Sequence, residues 1–445
     1  MKILKNYLYI SAALFLLAGC KPSFETPKAN KGTADFTRYI AVGNSLTAGY
    51  ADGGLYLEGQ QNSYPSIIAK QMALVGGGKF TQPLFTEAQA NGSGYLKLTG
   101  FTPTGSPITA TVAENTAVRD QVTIPGFGNV ILYTKYSGDI NNYGVPGIKL
   151  QQITYGPYGN LNGYFERLLP GAPPANNTTY LDFVTAKDFT FFTDWLGNND
   201  ALGYATSGGA ADVLTDKTQF AQLYTLSIAK LTEKGAKGAV ATIPDVTAIP
   251  YFNTVTVGAI LASVQKANAQ VKDIYISART STDINNLVYA PRAATAADLV
   301  VLTFPTSKIG QMVNVPGVGM VPYGLTPYAP IENQYVLDAN EIALTKDYVT
   351  DYNKTIKAAA ATKGLAVFDA FTFLNDIKAH GILVDGVSAN SNYISGGIFS
   401  LDGVHLTPRG YAIVANEYIK AINKTYNASI PTVNISNYRG VKFPN

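Results

Sequence analysis

The fold and the chemistry of this chain are both indicated by one short stretch, Arg38-Tyr-Ile-Ala-Val-Gly-Asn-Ser-Leu-Thr47. Its first half is rich in β-forming residues and ends in glycine, which is typical of a strand that runs into a turn. Ser45 then stands just past the carboxyl end of that strand, where open α/β sheets bind their ligands. A serine in this position is by itself most often a cap or a turn former. The stretch therefore predicts a strand and a candidate site, and other residues must decide the chemistry.

Short apolar segments alternate with longer helical patterns along the rest of the chain. Besides residues 38–43, the predicted strands cover residues 188–196, 238–243, 299–303 and 365–368. The predicted helices cover residues 64–74, 218–234, 257–276, 340–362 and 411–425. Such alternation is typical of βαβ units. It predicts an α/β fold, namely a three-layer α/β/α sandwich with a mostly parallel sheet.

Two stretches interrupt this alternation, near residues 75–138 and 280–335. Because both are rich in Gly and Pro and neither has a long periodic segment, we interpret them as loop-rich insertions in one domain over residues 37–425. A separate domain at 75–138 is the alternative. Residues 426–445 are predicted to be an irregular tail. Loops added near the functional edge of a sheet are candidates for a lid or a substrate wall.

The composition excludes several classes of protein. Of the 445 residues, 46% are apolar and 14% are charged, which excludes intrinsic disorder as the dominant state. The net charge of +3 lacks the basic excess that is typical of nucleic-acid binders. Cys20 is the only cysteine, so no disulfide framework and no cysteine-based zinc site can form. Since there are two histidines, His380 and His405, we expect no multi-histidine metal site and no cofactor.

The first twenty residues have the features of a bacterial export signal. Lys2 and Lys5 precede a largely apolar run over residues 7–17, which is shorter than the roughly 20 residues of a spanning helix. The run ends in Leu17-Ala-Gly-Cys20, which resembles a bacterial lipobox. Residues 1–19 are therefore predicted to be a signal peptide and Cys20 to be lipidated. Cleavage by an ordinary signal peptidase is the rival interpretation.

The predicted location is the bacterial cell envelope, with lipidated Cys20 as the membrane anchor. Residues 20–36 are polar and broken by prolines, which is typical of a tether. A multiply acylated cysteine anchors stably, because each buried CH₂ contributes about 0.8 kcal/mol. Lys21, rather than an aspartate, follows the cysteine, and by analogy with lipoprotein sorting this favours the outer membrane.

A histidine near the C-terminus supplies what a serine nucleophile needs. The segment Asp402-Gly-Val-His405 places a carboxylate three residues before an imidazole. A serine needs the imidazole to take its proton, and the imidazole needs a partner that fixes its tautomer. The pattern Asp-x-x-His is nevertheless common by chance, and a helix-capping role is the alternative for His405.

Two further segments offer donors for the negative charge that develops when a carbonyl group is attacked. The segment Gly197-Asn-Asn-Asp200 follows the predicted strand at 188–196 and carries side-chain amides. The segment Asn142-Tyr-Gly-Val-Pro-Gly147 is a loop whose glycine N–H can point into a site. Each segment is also consistent with an ordinary tight turn.

Together these segments resemble, in family order, the four sequence blocks of the SGNH, or GDSL-like, serine hydrolases. The blocks fall on residues 43–50, 142–147, 197–200 and 402–405. The resemblance implies that Ser45 is the nucleophile, that His405 is the general base and then the general acid, and that Asp402 orients His405. It also implies an oxyanion hole made by the Ser45 N–H, the Gly147 N–H and the Asn199 side chain. The chain departs from the family at Asn44, where an aspartate is usual.

Together with the lipobox-like segment, the resemblance implies a membrane-anchored serine ester hydrolase that cleaves carboxylic esters, lipid or short-chain, through an acyl-enzyme at Ser45. Its partners would be an ester substrate and the membrane, without nucleic acid. One alternative is an O-acetylesterase that acts on polysaccharide. Another, from a different class, is a catalytically silent lipoprotein that binds glycan or lipid on a hydrolase scaffold. Loss of a contact among Ser45, Asn199, Asp402 and His405 would favour the silent protein.

Overall fold

A computed structural model describes residues 28–103 and 105–444 of the chain. Its strands, in chain order, are β1 (Tyr39–Gly43), β2 (Tyr95–Phe101), β3 (Pro107–Val112), β4 (Val118–Ile124), β5 (Gly128–Tyr133), β6 (Asn142–Gly144), β7 (Phe191–Trp195), β8 (Lys237–Ala241), β9 (Tyr275–Arg279), β10 (Tyr289–Ala293), β11 (Leu299–Val300), β12 (Met312–Val315), β13 (Gly319–Pro322), β14 (Val336–Leu337), β15 (Ala366–Phe368), β16 (Ile382–Val384) and β17 (Val387–Ala389).

Its α-helices, in chain order, are α1 (Ser45–Ala48), α2 (Leu57–Gln61), α3 (Tyr64–Ala73), α4 (Tyr158–Leu161), α5 (Gly163–Glu166), α6 (Tyr180–Thr185), α7 (Asn199–Thr206), α8 (Lys217–Thr232), α9 (Pro250–Asn253), α10 (Val257–Ala267), α11 (Ala339–Lys363), α12 (Ala370–His380) and α13 (Pro408–Tyr426).

The central sheet has five strands in the order β6-β1-β7-β8-β15, and every pair is parallel. Gly43, the last residue of β1, is in register with Gly144 of β6 and with Trp195 of β7. Because the carboxyl ends of parallel strands meet at one edge, the loops after β1, β6 and β7 lie side by side there. The first three family-like blocks are thereby brought to one edge of the sheet.

Helices cover both faces of this sheet. On one face α3 and α13 pack together, and α13 contacts β8 and β15. On the other, α8 packs against α11, which contacts the same two strands. Alternation along β7 separates the two layers, since Trp195 contacts the rings of Tyr64 and Tyr418 at 5.7 and 6.1 Å while Asp194 faces Tyr224 of α8. The predicted three-layer α/β/α fold with a parallel sheet is confirmed.

Both predicted insertions consist mainly of antiparallel hairpins. The stretch at 75–138 carries the hairpins β2–β3 and β4–β5. The stretch at 280–335 carries β12–β13, and its strands β10 and β11 pair with β9 and β14 outside it. These hairpins lie outside the five-stranded sheet.

The helix predicted over residues 257–276 is wrong in its second half. Helix α10 ends at Ala267, and Asn268 leaves the helical conformation with φ −146° and ψ 95°. Ile274 and Ile276 are buried and Tyr275 between them is half-buried, which is the period of two of a strand. This segment instead enters β9, and the sequence prediction merged a helix with the strand that follows it.

Residues 30–36, within the segment predicted to be a tether, pack against the domain. The Thr33 N–H donates to the carbonyl of Tyr426 at 2.8 Å. The buried ring of Phe36 lies 4.9 Å from that of Phe191, the first residue of β7. The chain therefore joins the domain at the amino ends of the strands, opposite the edge where the first three blocks meet.

The predicted signal peptide, Cys20 and the first part of the tether lie outside the described residues. None of the helices within residues 28–103 and 105–444 has the length and the apolar character that are needed to cross a membrane. Beyond Tyr426 the described chain contains a 3-10 turn at Ile435–Asn437, and Arg439 forms an ion pair with Glu58 at 2.7 Å.

A buried carboxyl in the central strand makes the stability depend on pH. Burial raises the pKa of Asp194 from 3.8 to about 7. Between these values the native state holds a proton that the unfolded state has released, so this group's contribution to stability falls as the pH rises and is level above about 7. In urea unfolding between pH 4.5 and 8, this group should lower the free energy of unfolding of the wild type by on the order of a few kcal/mol. We expect Asp194→Asn to remove this dependence on pH.

The exposed Asp120 of β4 provides a matched control, because Asp120→Asn makes the same chemical change on the surface. That variant should keep the wild-type slope. Parallel stability curves for wild type and Asp194→Asn would contradict the assignment.

Candidate active site

The turn after β1 fixes the position of Ser45. Gly43 has φ 155°, and a Cβ atom there would lie 2.1 Å from Thr47 Oγ1, so glycine is required. Asn44 is the N-cap of the short helix α1, and its Oδ1 accepts a hydrogen bond from the Leu46 N–H at 3.0 Å. Ser45 is then the first helical residue and is only 7% exposed.

The substitution at Asn44 preserves this turn. The cap needs only an acceptor oxygen, which asparagine has in common with the family's usual aspartate. Asn44 is buried, and its Nδ2 has no hydrogen-bond partner among the described residues. An aspartate at this buried cap would carry a negative charge, whereas the asparagine places a neutral amide there.

Ser45, His405 and Asp402 form a continuous hydrogen-bonded chain. His405 Nε2 lies 2.9 Å from Ser45 Oγ, and His405 Nδ1 lies 2.9 Å from Asp402 Oδ2. Both distances are within the range expected for a nucleophile and its base and for a base and the group that orients it. Both ring nitrogens of His405 are hydrogen-bonded to these two side chains, so the ring does not cap a helix.

Asp402 is held as a carboxylate by hydrogen bonds on both oxygens. Its Oδ1 accepts from the N–H groups of Val404 and His405 at 2.9 and 2.8 Å and from Ser400 Oγ at 3.1 Å. Its Oδ2 accepts from the Gly53 N–H at 2.8 Å as well as facing the imidazole. Burial alone would raise the pKa of Asp402, but His405 and these donors hold that pKa well below its usual range.

The three predicted oxyanion donors lie at the same sheet edge. Ser45 contributes an N–H at the start of α1, where no intrahelical acceptor exists. Gly147 follows β6 in a turn with φ 85°, and its N–H has no acceptor among the described residues. Asn199 begins α7, and its Nδ2 donates to the carbonyl of Ile148 at 2.9 Å, which leaves its second N–H available.

The bond from Asn199 to Ile148 ties the second and third blocks together. It orients the amide beside the Gly147 turn, so the two predicted donors are positioned by one contact. A backbone N–H and a side-chain N–H at the sheet edge that carries the serine are suited to stabilise an oxyanion.

The sequence did not single out the residues that support Asp402. Asp52 adopts φ 53° and is buried, and its N–H donates to Ser400 Oγ at 2.9 Å. Its Oδ1 accepts from the Leu401 N–H at 2.9 Å, so the turn after the nucleophile helix clamps the loop that carries Asp402. The Asp52-Gly-Gly54 turn signal was visible in the sequence, but nothing local indicates a partner 349 positions away.

The second histidine lies outside the hydrogen-bonded chain, since His380 ends α12 and is exposed. Trp195, at the end of β7, is a buried core residue. Burial raises the pKa of Asp200 to about 6, and Thr215 Oγ1 donates to it at 2.7 Å. Over the part of the chain that the structure describes, no three His, Cys, Asp or Glu side chains are grouped as metal ligands.

Comparison with known proteins shows the family of the chain. The model of the GDSL-like Lipase/Acylhydrolase family matches residues 39–418, which include all four blocks. A solved structure described as LAE5, an alpha/beta hydrolase enzyme from the metagenome of Lake Arreo, Spain, is similar at 9% identity and a TM-score of 0.37, covering 88% of this chain and 96% of that one. No curated protein matches the chain. The family match extends over most of the chain, and we conclude that this protein belongs to the GDSL-like lipase/acylhydrolase family and is a hydrolase that acts on ester bonds.

Proposed function

We propose that the protein is a membrane-anchored serine esterase that cleaves carboxylic esters through an acyl-enzyme at Ser45. The observation that carries the proposal is the chain of two 2.9 Å contacts from Ser45 Oγ through the His405 ring to Asp402. A silent binding protein does not need this alignment, so the presence of the alignment favours chemistry over binding alone.

In the acylation step, Ser45 Oγ attacks the carbonyl carbon of the ester and its proton passes to His405 Nε2. The ionised Asp402 accepts the hydrogen bond from Nδ1 and stabilises the imidazolium that forms. The carbonyl oxygen becomes an oxyanion, which the donors at Ser45, Gly147 and Asn199 stabilise. Each such donor is typically worth about 2.7–4 kcal/mol in the transition state.

The tetrahedral intermediate then collapses. The bond from the carbonyl carbon to the alcohol oxygen breaks, and His405 Nε2 gives its proton to the leaving alkoxide. Water takes the place of the alcohol in the second half-reaction, with His405 again as base, and hydrolysis releases the carboxylic acid and free Ser45.

Membrane anchoring through lipidated Cys20 is the second part of the proposal, with the outer membrane as the site. Its support is the lipobox-like sequence before the chain's single cysteine. The described chain is consistent with it, because residues 30–36 join the domain at the edge opposite Ser45. An anchor at that end leaves the catalytic edge accessible from the side away from the membrane.

Replacement of the nucleophile tests the chemistry. We expect purified residues 21–445 to hydrolyse p-nitrophenyl esters between acetate and palmitate, and Ser45→Ala to lower kcat at least about 10³-fold because the acyl-enzyme cannot form. Ester turnover that is unchanged in Ser45→Ala would contradict the role of Ser45. Absence of turnover on every ester, and on acetylated glycans, would instead favour the silent binding protein.

Ser400 provides a test of how Asp402 is positioned. Ser400→Ala removes a charge-assisted hydrogen bond to Asp402, worth about 1.5 kcal/mol, and also the acceptor of the Asp52 N–H, so we expect kcat to fall at least about tenfold with little change in KM. Ser227→Ala is the matched control, because Ser227 is also a fully buried serine but lies in α8, and its Oγ has no partner among the described residues. Equal kcat values for both variants, at similar Tm, would exclude a positioning role for Ser400.

Lipidation is tested by Cys20→Ser in a bacterial host. We expect the wild type to fractionate with membranes and its N-terminal peptide to carry the added mass of acyl chains. The variant should lose both properties. An unmodified cysteine in the mature wild type would contradict the anchor and support cleavage by an ordinary signal peptidase.

A further inference from the structure

A groove of about 570 Å³ opens beside His405, and both insertions contribute to its walls. We define it as the His405 groove, and its walls include Leu96, Pro107, Leu202, Tyr251, Leu302 and His405. Leu96 and Pro107 belong to the first insertion and Leu302 to the second. Its volume is within the range of small-molecule sites.

Backbone hydrogen bonds fix one wall of the groove to the catalytic loop. The Leu302 N–H donates to the carbonyl of Tyr251 at 2.8 Å, and the Tyr251 N–H donates to the carbonyl of Gly403 at 3.0 Å. These two hydrogen bonds fix the position of the second insertion relative to the loop between Asp402 and His405. Movement of this wall would move the catalytic histidine.

The opposite wall is attached to the same loop by a separate route. The Leu96 N–H donates to the carbonyl of Asp52 at 2.7 Å, and the Gly53 N–H donates to Asp402 Oδ2 at 2.8 Å. Both insertions therefore meet the triad on the side of Asp402 and His405, and not only at the edge of the sheet.

The chemistry of the proposed reaction decides which part of an ester lies there. In the tetrahedral intermediate the oxyanion is directed to the donors at Gly147 and Asn199. The alcohol oxygen must face His405 Nε2, since that nitrogen returns the proton to it. A group attached to the alcohol oxygen therefore extends along the His405 side, into the groove, and the acyl chain takes the remaining direction.

The lining decides the character of that group. Asp402 is the one carboxyl group and His405 the one imidazole along the described lining, and both belong to the triad. The hydroxyls of Tyr50 and Tyr393 donate to protein carbonyls, those of Gly53 and Leu401, each at 2.6 Å. Their rings and the leucine side chains can therefore contact a ligand, while the phenol protons are already hydrogen-bonded within the protein. Three threonines and Tyr251 add hydroxyl groups to the lining, but the leucines, Pro107 and Val404 make most of it apolar. Such a surface favours burial of apolar area over recognition of a polyhydroxylated sugar.

We propose that the His405 groove is the binding site for the alcohol part of the ester, and that it selects an apolar alkyl or aryl leaving group. This inference rests on the proposed serine esterase mechanism and deepens it. It also makes both insertions contributors to specificity for the alcohol.

The test varies the alcohol while the acyl group stays acetyl. We expect kcat/KM to rise from ethyl through butyl and hexyl to octyl acetate, by about twofold to fourfold per buried methylene, and to be high for naphthyl acetate. An O-acetylated methyl glucoside should be a poor substrate. Because the alcohol leaves before deacylation, kcat should not increase along the alcohol series when deacylation is rate-limiting.

A pair of leucines in the second insertion gives a matched variant and control. Leu302→Gln places a polar amide in the groove and should reduce the increase of kcat/KM along the alcohol series. Leu287→Gln makes the same change at a leucine that is 67% exposed and should leave the series unchanged. Thermal unfolding of both variants identifies any loss of folding.

The outcomes separate the two proposals. Values of kcat/KM that do not depend on the alcohol and that rise with acyl length would overturn the alcohol assignment and make the groove an acyl site. Preference for the acetylated glucoside would overturn its apolar selectivity. Absence of Ser45-dependent turnover on every ester would overturn the mechanism itself, and the groove proposal with it.

Discussion

The 2.9 Å contact between Ser45 Oγ and His405 Nε2 joins residues that are 360 positions apart, and the rest of the site is arranged around it. Ser45 is fixed by the end of β1 and the Asn44 cap, while His405 stands on a loop that no strand of the central sheet carries. Neither element can orient the other by itself. The contact therefore depends on the turn at Asp52 and Gly53, which follows the nucleophile helix and hydrogen-bonds to Asp402 and its neighbours.

This dependence explains which parts of the site could be predicted from the sequence. The parallel sheet brings the ends of β1, β6 and β7 together, and Ser45 and Asn199 follow from strand prediction and family resemblance. Gly147 follows from the resemblance alone, because the sequence predicts a loop over residues 142–147 and not the strand β6. The Asp402 and His405 pair is a local three-residue spacing and is equally visible. Their use in catalysis remains a proposal, but the geometry that it requires is present.

The supporting contacts could not be predicted, because they are long-range and use ordinary residue types. Asp52 resembles a surface turn residue, yet its unusual φ and burial arise only when the loop at 400–405 packs on it. Leu96 and Leu302 belong to stretches without helical or long strand periodicity, and their convergence on His405 depends on hairpins that the sequence pattern did not resolve. The error in the helix at 257–276 has the same origin, since β9 is stabilised by partners outside the segment.

The insertions change what the fold can do without changing its core. The α/β/α layers fix the nucleophile and the oxyanion donors, and the two insertions, hydrogen-bonded to the catalytic loop from two sides, help to shape the space beside the general base. A family scaffold can in this way acquire its own selectivity for a leaving group.

The most direct test of the central claim is covalent labelling of the intact protein with a fluorophosphonate, followed by mass spectrometry of its peptides. We expect a single adduct on Ser45 in the wild type, and labelling that is lost or greatly slowed in His405→Ala because the proton acceptor is absent. Labelling of another residue, or equal rates of Ser45 labelling in both proteins, would contradict the claim that His405 activates Ser45.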